Sequence, residues 1–447
     1  MENLNSTEEL KISLLSLNEK ELSELLEEIH PADILDVLRK EEDVRGEILG
    51  RLPHWLVADI LEEMDEEEQT EFLELFPELE QYKIFNEMSS DEQADLLSNL
   101  EPEEVDRFLD NIDEEDAEEV KELMNYEEDS SGGIMATEFV SIRESMTVKE
   151  TLNYLQTATI EAETVYYLYV LDEDEILKGI LSLRDLVTAK FDTVIRDIMT
   201  EQVKSIPVNM DQEEVAQIFE KYGFQAMPVV DEKGEMLGVI TFDDIIEVVR
   251  EEDSEDMYRL GGLNEGEIID GPAIESVKSR VPWLFINLLT AFLAAATVNL
   301  FSSTIDKVVI LASFMPIVSG MGGNAGTQTL TLIVRGIALG ELTIENAKKV
   351  FFKEALTGIC NGLCVGLAVA TIGYLWAGNP VFGLVIGLAM LLNMSVATMA
   401  GYLVPVTLKK LNVDPALASA VFVTTFTDVC GFFFFLGLAT MFLKFLT

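Results

Sequence analysis

The apolar pattern changes character twice along the chain. Residues 65–124 repeat every 12 positions: DEEEQTEFLELF (65–76) reads like SSDEQADLLSNL (89–100), and EPEEVDRFLDNI (101–112) and DEEDAEEVKELM (113–124) follow directly. Each copy opens with acids and closes with apolar residues at helical spacing, which predicts short helices stacked into an array. Acids at a helix start suit its dipole. A second repeat has strand-like runs: MATEFVSI (135–142) aligns with MTEQVKSI (199–206), and GILSLRDLV (179–187) with GVITFDDII (238–246). Beyond Trp283 the pattern becomes almost wholly apolar. Trp283–Ile305, Val308–Val334 and Ala355–Leu408 carry no charge, and Pro415–Leu443 carries one, Asp428. A helix needs about 20 apolar residues to cross a bilayer. The longest run must fold back, and WAGNP (376–380) supplies the break, so five spans are predicted.

Charge divides the chain at the same place. Of 82 acidic and 30 basic residues, only 6 and 8 lie from Trp283 onward, so the first 282 residues carry a net −54 and the rest +2. The mean hydropathy is nevertheless +0.21. Nucleic acid and anionic lipid are poor partners for such a polyanion, and cations are good ones. The three cysteines (Cys360, Cys364, Cys430) sit in apolar runs, which argues against a disulfide framework and for burial by packing. The polar start, MENLNSTEELK, argues against a cleavable signal peptide.

Basic residues set the orientation. Lys278 and Arg280, then Arg335, Lys348, Lys349 and Lys353, then Lys409 and Lys410 fall in connectors on one side. Lys307 falls on the other. The acidic N-terminal part is therefore expected in the cytoplasm and the C-terminus outside, with Lys444 a minor exception.

Asp428 lies 13 positions after Pro415 and 15 before Leu443, near mid-bilayer. A carboxylate there costs roughly 2.5–3.5 kcal/mol to insert, so such a group faces water, an ion or a partner. Thr424, Ala420 and Gly431 share its face, and Phe432–Phe435 are expected to cover the lipid side. The blander alternative is a protonated Asp bonded between helices. The second predicted span contains PIVSGMGGNAGTQ (316–328). Its glycines are expected to break the helix and free carbonyl oxygens beside Asn324 and Gln328; close helix packing through small residues is the alternative. Carbonyl, amide and carboxylate oxygens suit a hard cation, and Mg2+ is usually held by one or two carboxylates while keeping waters. A membrane potential supplies roughly 4.6 kcal/mol per 100 mV for a divalent ion. Passive entry needs no ATPase, and there is no GxxxxGK[ST] motif. No enzyme is expected: the only histidines, His30 and His54, lie in the helical repeats.

The second repeat resembles a tandem pair of CBS domains, regulatory modules that commonly bind adenosine nucleotides or metal ions and pair as dimers. The whole order resembles the MgtE family of magnesium transporters, most specifically in PIVSGMGGNAGTQ (316–328) and DPALASAVFVTTFTD (414–428). The resemblance implies a multidomain membrane protein: an all-α acidic helical-repeat domain (1–130), an α/β tandem CBS pair (131–252; copies 135–198 and 199–252), a connecting plug helix (253–282) and a five-helix transmembrane domain (283–447). It implies a homodimeric Mg2+-selective channel in the plasma membrane, with its pore between subunits. Asp428 would be the pore carboxylate, with Asn324, Gly323 and Thr424 beside it. Glu251–Gly262 would begin a plug at the cytoplasmic mouth.

The resemblance further implies Mg2+ sensing by Asp91, Asp95, Asp211, Glu213, Asp244, Glu247, Glu252, Glu255 and Asp256; Gly223 stands where a family member carries another acid. By spacing alone, Asp91 and Asp95 are an i, i+4 pair, for which a solvated acidic face is the plain alternative. ATP would be met by Tyr167, Arg184, Asp185 and Phe224. Self-repulsion among acids, relieved by bridging divalent cations, gives a physical basis for closure at high Mg2+, in about the millimolar range for sites with few ligands. Competing readings are a transporter of another divalent metal such as Co2+ or Mn2+, separated by competition of flux in liposomes, and a membrane-anchored CBS sensor that transports nothing, which needs no intramembrane acid.

Overall fold

The computed structural model describes all residues except 1–6, 27–28, 65, 99, 158–161, 163, 264–270, 412 and 418. By internal contacts the chain divides into two units, Met1–Val248 and Val249–Thr447.

The first unit opens with short helices: α1 (Thr7–Ser16), α2 (Glu19–Leu26), α3 (Pro31–Lys40), α4 (Arg45–Leu49), α5 (His54–Leu61), α6 (Glu66–Leu73), α7 (Glu78–Phe85), α8 (Ser90–Ser98), α9 (Pro102–Leu109) and α10 (Glu114–Leu123). Their apolar positions, among them Ile34, Leu38, Ile48, Ile60, Phe72, Phe85 and Leu97, merge into one core. Acids fill the first turns of α7, α8 and α9, where the helix dipole favours them. His30 N-caps α3, its Nδ1 accepting from the Ala32 amide at 3.3 Å.

Two three-stranded sheets follow, each with its first strand pair parallel and its second antiparallel. One holds β1 (Phe139–Arg143), β2 (Thr164–Leu171) and β3 (Leu177–Ser182), with α11 (Val148–Thr157) and α12 (Leu183–Thr188). The other holds β4 (Ile206–Pro207), β5 (Ala226–Val230) and β6 (Met236–Thr241), with α13 (Gln212–Tyr222). The Ser182 and Asp211 side chains cap α12 and α13, accepting from the Asp185 and Glu213 amides. Gly223 ends α13 with φ 65°, a left-handed cap that suits glycine. Helix α14 (Phe242–Gly261) then runs from the second sheet into the expected plug segment without a break.

The second unit contains α15 (Ala273–Asn299), α16 (Ser302–Lys307), α17 (Ile310–Ala338), α18 (Ala347–Ala377), α19 (Pro380–Lys410), α20 (Ser419–Met441) and α21 (Leu443–Leu446). Among the described residues four helices are long and apolar enough to cross a membrane, within α15, α18, α19 and α20. Helix α17 is equally long but is not among them; its glycines, Asn324, Thr327 and Gln328 dilute its apolar character. The turn at 376–380 is as expected: Gly378 caps α18 at φ 66°, and Asn379 accepts from the Val381 and Phe382 amides before Pro380.

Helix α19 is central, packing on α17, α18 and α20. Glycines permit the approach: a Cβ on Gly383 would lie 2.5 Å from the Ala370 carbonyl, and one on Gly401 2.6 Å from that of Gly326. Buried Glu354 on α18 accepts from the Thr329 hydroxyl of α17 at 3.2 Å and pairs with Lys353 at 2.8 Å.

Three expectations are corrected. Helix α17 is unbroken through 316–328: Gly322 and Gly326 are notches for neighbouring side chains, so close packing accounts for them. Cys360 and Cys364 are exposed on α18 rather than buried; among lipid-facing residues an apolar thiol needs no protein cover. Phe435 turns into the core while Phe433 faces outward, because four successive residues cannot share one helix face.

Candidate functional site

The face of α17 left open by its neighbours carries Ser313, Pro316, Gly320, Asn324, Thr327, Gln328, Thr331 and Arg335, spaced at one helical turn. A Cβ on Gly320 or Gly323 would meet nothing within 4 Å. At one edge of this stripe the Ser319 hydroxyl donates to Oδ1 of half-buried Asp428 on α20 at 2.5 Å. Thr424, one turn before Asp428, donates to the Ala420 carbonyl at 2.9 Å, which leaves its oxygen lone pairs to accept. Asn324 and Gly323 lie one turn beyond Gly320 and Ser319. Gly431 does not join them; it is buried against Asn393 of α19.

At the foot of this bundle, the end of α14 packs Leu260 onto Leu330, Val334, Ala416 and Val423. Arg259 pairs with both Glu255 and Asp414. Asp256 beside them is pushed up to about 6 by burial, then by the like charges of Asp414, Glu252 and Asp253.

In the first unit, Asp91 on α8 lies near enough to Asp244 at the start of α14 for their charges to repel. Burial first, then Asp244 and Glu138, raises Asp91 to about 7. Asp244 is raised too, mainly by burial, against hydrogen bonds from the Thr241 amide at 2.9 Å and hydroxyl at 2.8 Å. Glu92 and Glu62 are likewise raised by burial. Asp95 lies one turn along α8 and Glu247 one turn along α14. Asp211 and Glu213 lie at the start of α13, where Asp211 accepts from the Glu213 amide at 2.9 Å. Among the described residues no three Asp, Glu, His or Cys side chains converge to hold a metal ion.

A cavity of about 250 Å3 is lined by Tyr167, Ser182, Asp185, Thr200, Lys204 and Phe224, among others. Arg184 does not line it. Lys204, which the sequence reading missed, contacts the Tyr222 hydroxyl at 3.1 Å, and Tyr222 stacks on Phe224 with ring centroids 5.7 Å apart. Ser319 and Asn393 were missed as well.

The architecture is thus an acidic helical array and a CBS pair on a chain whose second unit is an apolar helical bundle with a polar stripe, the organisation of an ion transporter. Comparison agrees. The MgtE family, described as a divalent cation transporter, matches residues 315–438; the MgtE intracellular N domain matches 29–129; CBS domains match 131–192 and 195–251. A magnesium transporter MgtE of Thermus thermophilus is 37% identical over 95% of this chain and 95% of its own length. That of Enterococcus faecalis is 39% identical over 74% and 73%. The cytosolic domain of the Mg2+ channel MgtE in complex with ATP superposes with a TM-score of 0.50, 40% identical, over 54% of this chain and 100% of that one. The soluble part of a magnesium transporter gives 0.52 at 35% identity, over 55% and 99%. The chain belongs to the MgtE family of magnesium transporters, and it is a multi-pass membrane protein.

Proposed function

We propose that this chain carries Mg2+ inward along the open stripe of α17, with Asp428 as the carboxylate that holds the ion. The observation that carries this reading is the Ser319–Asp428 contact beside that stripe. A charged group and a row of small and amide side chains are costly against lipid. They become favourable against water, a hydrated cation or the same face of a second copy. In this reading α17 is the fifth span, and two protomers enclose the path, so that paired Asp428 carboxylates, Asn324 amides and Thr424 hydroxyls contact the ion through its waters. Gly323 leaves room for that hydration shell. The acidic part is cytoplasmic and the C-terminus outside.

The domains divide as 1–130, 131–252, 253–282 and 283–447, and the cytoplasmic ones close the path when Mg2+ is high. Asp91 with Asp244 is the sensor pair best supported by geometry, joined by Asp95 and Glu247. Asp211 and Glu213 form a second acidic patch. Glu252, Glu255 and Asp256 act at the foot of the bundle, where the Arg259–Asp414 pair holds the end of α14 against α17 and α20. Two-carboxylate sites that keep waters suit Mg2+ at about millimolar levels. The 250 Å3 cavity takes an adenine nucleotide between Tyr167 and Phe224, as the ATP complex of its relative suggests.

Mg2+ uptake into liposomes tests the pore assignment: Asp428→Ala should abolish it, and unchanged uptake would show the assignment wrong. Competition by Co2+ and Mn2+ in the same assay separates a Mg2+ path from a general divalent one.

A further inference from the structure

Behind the open stripe, one side chain of a third helix sits between α17 and α20. Asn393 on α19 has no exposed surface. Its amide fills a notch made by two glycines, Gly322 on α17 and Gly431 on α20. A Cβ on Gly322 would fall within the Asn393 side chain, and one on Gly431 would lie 2.7 Å from its Nδ2. Both positions are therefore glycine because the amide occupies the space. Nδ2 donates to the Val318 carbonyl at 2.8 Å, and Val318 immediately precedes Ser319, the donor to Asp428. Oδ1 is buried with no hydrogen-bond partner. An aliphatic side chain would fill the same notch without burying an unsatisfied oxygen, so the amide is there for its donor and its flat shape rather than for bulk.

We propose that Asn393 is a positioning residue: by its thickness and its bond to Val318 it sets the separation and register of the helices carrying Ser319 and Asp428, and with them the ion the site accepts. The proposal rests on Asp428 lying in the ion path. A site that holds a cation partly through its waters discriminates by size, so a shift between the helices changes selectivity before it abolishes flux. The expected change is about tenfold, since a misplacement of roughly 1 Å costs about 100-fold in a site needing full alignment.

The test uses the full-length protein in liposomes, reading initial Mg2+ and Ca2+ flux, with thermal unfolding of each variant as a control. Asn393→Ala, which empties the notch, and Asn393→Leu, which keeps the bulk and loses the donor, should each lower the Mg2+/Ca2+ flux ratio about tenfold. Gly431→Ala should lower it similarly, and combining it with Asn393→Ala should recover most of the loss, because the new methyl enters the vacated space. An unchanged ratio in a folded Asn393 variant overturns the proposal, as does a Gly431→Ala defect that Asn393→Ala leaves untouched. If Asn393→Ala alone does not fold, the double variant decides: recovery supports the wedge and failure overturns it. Asp428→Asn runs in parallel. Full flux in that variant means the pore reading has failed; lost flux with unaltered Asn393 variants means that only this inference has.

Discussion

The Ser319 hydroxyl donates to Oδ1 of Asp428 at 2.5 Å, joining two helices whose partners are 109 residues apart in sequence. The bond engages one of the two carboxylate oxygens of Asp428. Hydrogen bonds to charged groups contribute about 1.5–3 kcal/mol. Ser319→Ala should therefore raise the Mg2+ concentration for half-maximal uptake about tenfold, measured as initial flux into liposomes, and Ser319→Thr should restore it.

Asp91 is raised to about 7 by burial and by Asp244. Its pKa in the folded chain exceeds its unfolded value, so the folded state binds more protons between about pH 4 and pH 7. This contribution to stability is present at low pH and is lost as pH rises through 7. A divalent cation at the pair must compete with that proton. The Mg2+ concentration that half-inhibits uptake should thus be higher at pH 6 than at pH 8. Asp91→Asn should flatten the dependence and weaken inhibition at pH 8. Uptake measured at both pH values across a Mg2+ series checks it.

Arg259 neutralises Asp414 and Glu255 beside Asp256. Removing the guanidinium leaves these acids facing one another where α14 meets the bundle. Arg259→Ala should raise the half-inhibiting Mg2+ concentration by about fivefold or more, the usual size of a coupling free energy. Flux at fixed outward and varied inward Mg2+ reads this directly.

Lys204 lies over the Tyr222 ring at 4.7 Å and lines the cavity with Tyr167 and Phe224. A cation there suits a phosphate and the two aromatic rings suit a base. Lys204→Ala should weaken ATP binding about tenfold and adenosine binding much less, by titration calorimetry; Phe224→Ala should weaken both.

How much of this was legible in the sequence depends on whether a feature is local. The turn at Gly378–Pro380 was readable because capping chemistry is written in adjacent residues. The two three-stranded units were readable from repeated strand, glycine and helix-start patterns, and Asp428 because one charge in an apolar run needs no partner to be noticed. Ser319 and Asn393 were not readable: a serine among glycines and a lone amide in an apolar span become informative only once α17, α19 and α20 are packed. For the same reason the glycines of 316–328 suggested a broken helix. Their role as notches depends on Asn393 and Val423, which are distant in sequence. Asp185 lines the cavity and its neighbour Arg184 does not, a distinction that a motif of adjacent residues does not carry.

The central claim is that Asp428 holds the transported ion. The most direct measurement is Mg2+ entry into liposomes containing the full-length protein, under an inward Mg2+ gradient, for the parent and Asp428→Asn. The substitution keeps an acceptor for Ser319 and removes the charge. The account predicts folded protein with Mg2+ entry reduced to the level of empty liposomes. Entry at the parent rate would contradict it.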